Sequence, residues 1–94
     1  MKFEKHNNTL KIEGKLNRFT LDSQSLKNVP SFNENLVIDL SKASSIDTAG
    51  LAFVITLLSY YQKKNLDVVI DHASEQLIAL ARVSNVLGLL PISK

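Results

Sequence analysis

Near the start of the chain apolar and polar positions alternate, and further on they thicken into runs; that change of period marks out the elements. From Thr9 to Leu16 the alternation places Leu10, Ile12 and Leu16 on one face of a strand. Phe3 to His6 predicts a partner strand across an Asn7-Asn8 turn, giving an antiparallel hairpin at a sheet edge. Between Arg18 and Asn35 the periodicity is weak, and a short helix around Leu21 to Lys27, stopped by Pro30, is expected. Leu36 to Leu40 reads as a buried strand, and Ser41 to Thr48 supplies the hydroxyls and carboxylates of a turn and cap. A helix is then predicted from Thr48 to Lys64, with Asn65 as C-cap, followed by a strand from Asp67 to Ile70. Ser74 caps a further predicted helix over Glu75 to Val86, and the apolar tail Leu87 to Ile92 is expected to pack back onto the core. Strand, helix and strand in that order make a βαβ unit with parallel strands, so the sheet is mixed.

The helix beginning at Thr48 has two faces that call for separate readings. At about 100° per residue, Leu51, Val54, Ile55, Leu58 and Tyr61 form the expected core stripe. Opposite them lie Ala49, Ala52, Phe53, Thr56, Tyr60 and Lys63, a side with two aromatics where charges would ordinarily stand. Either other elements of the domain cover Phe53, or this side is the core of a partner interface; the interface is the expectation carried forward. At its N-terminus Asp47 is placed to cap the backbone N–H of Ala49 or Gly50. Thr48 would then hold its hydroxyl outward beside unpaired N–H groups, where Gly50 permits close approach by another chain.

Composition narrows the class. Ninety-four residues make one domain over 1–94, able to bury roughly 60–70% of the surface exposed on unfolding. The absence of cysteine excludes thiol nucleophiles and thiolate metal sites. No run of signal-peptide type opens the chain, and the apolar stretch Ala49 to Leu58 is about half a membrane span, so the default is a cytoplasmic protein without direct membrane insertion. A net charge of +2 with scattered lysines and no tryptophan lacks the footprint of nucleic-acid binding.

Catalytic chemistry has little to stand on. The turn before Thr48 has one glycine and no following lysine, which argues against a phosphate loop. Asp71, His72 and Ser74 have the residue types of a hydrolytic triad, but neighbours on a strand end point to opposite faces. His6 and His72 have no spaced ligand set, and Asp39 and Asp47 lack a nucleophile or oxyanion loop. No enzyme activity, cofactor or metal is expected.

The stretch VIDLSKASSIDTAGLAFVITLL, with Gly14-Lys15-Leu16-Asn17 ahead of it, resembles the STAS domain family of anti-sigma-factor antagonists and their relatives. The resemblance covers nearly the whole chain and implies an α/β fold with a mixed sheet of four to five strands and helices largely on one face. Members switched by phosphorylation usually carry Asp-Ser-(Ser/Thr)-Gly at this turn, whereas here the order is Asp47-Thr48-Ala49-Gly50, with one hydroxyl position lost to Ala49. The variant is most similar to the small MlaB-like STAS subunit of Mla-type phospholipid ABC transporters. That likeness implies a non-catalytic accessory subunit that binds the transporter's ATPase, and through it the permease, at the inner membrane. Asp47, Thr48, Ala49, Ala52, Phe53, Thr56 and Tyr60 would form its interface or regulatory surface. The alternative it leaves open is an anti-sigma factor antagonist regulated by phosphorylation of Thr48.

Overall fold

The computed structural model describes residues 1–22 and 24–93. Strands β1 (Lys2–His6) and β2 (Thr9–Lys15) form the expected hairpin, with Phe3 opposite Ile12 and Lys5 opposite Leu10. Asn7 turns it from the left-handed region at φ 51°, a conformation asparagine tolerates. Strand β3 (Leu36–Asp39) lies parallel to β2, β4 (Ala43–Ser44) pairs with the far end of β2, and β5 (Val68–Asp71) lies parallel to β3. The result is a mixed sheet of five strands, within the expected four to five, in the order β1-β2-β3-β5 with β4 beside β2. Strand β4 falls inside the stretch read as a plain turn. It forms because Gly14, at φ 101°, lets β2 change its pairing, and the Gly14 N–H donates to the Lys42 carbonyl at 3.0 Å.

One sheet face carries Leu10, Ile12, Leu36, Ile38, Val68 and Ile70, all buried, and both helices contribute to the same core. On the other face Glu4, Lys11, Asp39 and Asp71 stand in register across four strands, so a charged row meets solvent there. Helix α1 (Thr48–Gln62) links β3 to β5 as the crossover of the βαβ unit. It ends at Gln62 with Lys63 as C-cap, two residues short of the expected Lys64, because Asn65 enters the left-handed region at φ 63° and the N–H groups of Asn65 and Leu66 donate to the Gln62 and Tyr61 carbonyls. Helix α2 (Glu75–Val83) starts on Ser74, whose hydroxyl accepts the Leu77 N–H. It stops three residues short of the expected Val86, because Asn85 adopts φ 60° and the same pair of closing bonds forms on Arg82 and Ala81.

Two other expectations are adjusted. The helix anticipated around Leu21 to Lys27 is a single 3₁₀ turn over Ser25–Asn28, and Ser23 lies outside the described residues. The tail does pack back: Leu90 is buried, and Ile92 bridges Ile70 in parallel beyond β5. Between β2 and β3 the chain is tied to the helix by Tyr61, whose hydroxyl donates to the Pro30 carbonyl at 2.7 Å while its ring meets Phe32 edge-on. Burial, with the neighbouring Tyr60, pushes the Tyr61 pKa up to about 12, so that donor proton stays in place.

Candidate docking site at the start of the long helix

Asp47 joins two segments. Its Oδ1 accepts the Gly50 N–H and its Oδ2 accepts the Arg18 N–H, each at 3.0 Å, and the Asp47 N–H donates to the Leu16 carbonyl at 3.3 Å. The cap anticipated from the sequence is therefore also a clamp that draws the β2 exit loop onto the start of α1. Hydrogen bonds from the Arg18, Gly50 and Ala49 backbones hold the Asp47 carboxyl below the ordinary carboxylate range, outweighing partial desolvation. Since the unfolded carboxyl titrates near pH 4, the folded state binds fewer protons there, and the contribution of the clamp is full above about pH 4. It disappears as pH falls through the lowered folded value. We therefore expect the stability gap between wild type and Asp47→Ala, measured by urea unfolding, to be level from about pH 7 to 5 and to close toward pH 2. A gap that persists undiminished in strong acid would show that the carboxylate is not what holds the loop.

Gly50 makes that approach possible. A Cβ placed there would lie 2.0 Å from the Leu16 carbonyl oxygen and 3.2 Å from Ile46 Cγ2. The glycine is thus required by close packing of two backbones, and the room it leaves is filled by this chain's own loop instead of by a partner.

Thr48 is exposed, and among the described residues no hydrogen bond engages its hydroxyl. Below it the solvent side of α1 consists of Ala52, Thr56 and Ser59, with Lys63 just past its end and Ala49, Ile55 and Tyr60 half-buried on the flanks. The Thr56 hydroxyl turns back onto the Ala52 carbonyl at 2.9 Å, and the Lys64 ammonium bonds the Tyr60 hydroxyl at 3.1 Å from above its ring. No charged side chain occurs anywhere from Thr48 to Gln62.

Phe53 corrects the expected interface row. It is 8% exposed and stacks on Phe3 of β1, ring centroids 6.1 Å apart and planes 23° from parallel. The buried arc comprises Gly50, Leu51, Phe53, Val54, Leu57, Leu58 and Tyr61, so it is turned toward Phe53 and Leu57 relative to the predicted stripe, and Ile55 moves to its margin. The cause is the edge hairpin, which carries Phe3 on the core face and covers a side of α1 that a bare two-layer packing would leave wet. Of the candidate surface residues, Thr48, Ala52 and Thr56 are exposed, Asp47, Ala49 and Tyr60 are half-buried, and Phe53 belongs to the core.

The exposed aromatic of this region is one that periodicity does not single out. Phe19, on the loop clamped by Asp47, is 81% exposed, and the Arg18 guanidinium lies 4.8 Å from its ring centroid. The available signal was an aromatic set between the polar Asn17, Arg18 and Thr20 in a stretch of weak periodicity.

The residue types that suggested chemistry are held in other roles. His72 leaves β5 at φ 59°, which brings its Nε2 to 3.8 Å from Asp71 Oδ2, so the two side chains do not point apart as strand alternation implied. That distance is too long for a hydrogen bond, and the Ser74 hydroxyl is engaged as a cap. Asp39 Oδ1 accepts the Ser41 N–H at 2.9 Å; burial alone would raise its pKa, but the Ser41 hydrogen bonds together with the charges of His72 and Lys11 hold it low. Among the described residues no three His, Asp or Glu side chains are grouped to hold a metal ion, and no helix is long and apolar enough to cross a membrane.

A hairpin-led mixed sheet with two helices packed on one face, and a capped helix start open to solvent, defines the STAS class of domain. Within it, the family model described as "Mlab, STAS domain" matches residues 1–91, and the chain belongs to that family. No curated protein matches the chain. Domains of this family are generally non-enzymatic regulatory or accessory modules that mediate protein–protein interaction.

Proposed function

We propose that the chain is a cytoplasmic, non-catalytic accessory subunit that docks on the ATPase of a phospholipid-transporting ABC complex maintaining outer-membrane lipid asymmetry. One observation carries the reading. An uncharged helical stripe of Thr48, Ala52, Thr56 and Ser59 faces solvent and begins at a helix terminus pinned by its own loop. Small residues on a rigid helix let another backbone approach closely, and the uncharged stripe avoids the cost of desolvating charges at the centre of an interface. The family description, with its Mlab designation, supports the transport setting. Docking would act by differential affinity for the ATPase's conformations, shifting their populations without any covalent step.

Thr48→Arg tests it. The side chain points outward, so the melting temperature is expected to stay within error of wild type. Copurification with the ABC ATPase of the same genome is expected to weaken by at least about tenfold, the cost of burying an unpaired charge at an interface centre. Retained ATPase binding together with an undiminished lipid-transport phenotype would sink the proposal. The open Thr48 hydroxyl also suits a phospho-regulated antagonist of an anti-sigma factor. That reading requires phosphate on Thr48 after incubation with a cognate kinase, seen by mass spectrometry.

A further inference from the structure

We infer that the partner surface facing the start of α1 is a protein surface with an apolar pocket edged by carboxylates, and that Phe19 is the anchor it receives. The inference rests on the ATPase-docking reading and specifies the chemistry of the surface that α1 meets. Phe19 is exposed over most of its area on a turn that is held from several directions. Its N–H donates to Asn17 Oδ1 at 3.0 Å, and the Thr20 N–H donates to the Asn17 carbonyl at 3.1 Å. The Thr20 hydroxyl accepts the Asn17 N–H and donates to the Lys15 carbonyl, and the Arg18 N–H is taken by Asp47. A large aromatic displayed on an ordered turn has already lost the conformational freedom that binding would otherwise cost, which is the condition for an interface anchor.

Charge identifies what surrounds the pocket. Lys15, Arg18 and Lys42 are all exposed and form no salt bridge among the described residues. The pairing of Gly14 and Lys15 with Ala43 and Ser44 sets Lys15 and Lys42 on adjoining strand ends, next to the loop that carries Arg18. The positive end of the α1 dipole lies at the same place, and its capping carboxylate, Asp47, is turned inward onto backbone N–H groups. Glu13, which the parallel register sets opposite Lys42, is outnumbered by the three cations, so the region is net positive and complementarity asks for a negative rim opposite. A lipid headgroup surface would meet three cations too, but it has no shaped recess for Phe19 and no use for the flat uncharged stripe of Ala52, Thr56 and Ser59.

Binding of the purified full chain to the ABC ATPase of the same genome should be titrated at low and high salt. Phe19→Ala is expected to weaken it by about tenfold or more with an unchanged melting temperature, while Phe19→Tyr restores most of the affinity. The triple variant Lys15→Glu, Arg18→Glu, Lys42→Glu is expected to weaken binding at low salt and to flatten its salt dependence. If wild type binds but Phe19→Ala and the triple variant both bind within twofold of it, this inference is overturned and the docking reading stands. If wild type does not bind the ATPase, the docking reading fails and the inference with it. Phe19-dependent binding to phosphatidylglycerol vesicles, with ATPase binding indifferent to Phe19, would assign the residue to a membrane and overturn the proposal.

Discussion

Gly50→Ala is expected to lower stability by about 2 kcal/mol, although alanine is the better helix former. In an open helix interior the exchange would stabilise by up to about 1 kcal/mol. Here the added Cβ would lie 2.0 Å from the Leu16 carbonyl oxygen, a backbone atom that cannot rotate out of the way. Relief requires the β2 exit loop to back off, which strains or breaks the bonds from the Asp47 N–H to Leu16 and from the Arg18 N–H to Asp47. Overpacking of this kind costs up to about 3 kcal/mol, so the clash outweighs the propensity gain. Urea unfolding should show a lower midpoint with little change in slope. The same movement would displace Phe19 and Arg18, so partner binding should weaken with the fold still present. A variant as stable as wild type would mean that the loop yields freely and that the clamp is loose.

Phe53→Ala should cost more, about 3–5 kcal/mol, as expected for truncating a buried phenylalanine. A chain of 94 residues has a total stability on the order of 5–14 kcal/mol, so the variant should be near or past the edge of folding at 37 °C. Part of the loss belongs to the pair with Phe3, for which a double-mutant cycle is expected to return a coupling of roughly 0.5–1.5 kcal/mol. The contrast with Thr48→Arg is the informative part. One substitution removes core packing beneath the helix, and the other adds a charge above it, so stability and binding should respond to different variants. Near-wild-type stability in Phe53→Ala would place Phe53 back on the surface and restore the interface row as first read from the sequence.

The helix rotation has a simple origin. Periodicity along Thr48 to Gln62 shows apolar residues on most sides, because Ala49, Ala52 and Ile55 stand outside the arc that Leu51, Phe53, Val54, Leu57 and Leu58 occupy. Such a pattern says that the helix is extensively covered but cannot say by what. The decision came from the β1–β2 hairpin, whose register puts Phe3 opposite Ile12 and so onto the core face, within stacking range of Phe53. Helix ends show a related division. Asn65 was readable as a helix stop because polar residues precede it, although the C-cap itself falls on Lys63, whereas Asn85 is bracketed by Val83 and Val86 and the apolar period seemed to run on through it.

Local chemistry was enough to determine the hairpin, the strands and helix of the βαβ unit, and the Asp47 and Ser74 caps, since each element depends on residues within a few positions of one another. The family resemblance lay in the same short-range patterns. Tertiary structure alone decided which arc of α1 meets solvent, that Gly50 serves the chain's own loop, and that Phe19 is the aromatic left outside. Those outcomes depend on contacts between segments some thirty or more residues apart, such as Leu16 with Gly50 and Phe3 with Phe53. Periodicity along one element cannot report on packing that another element supplies.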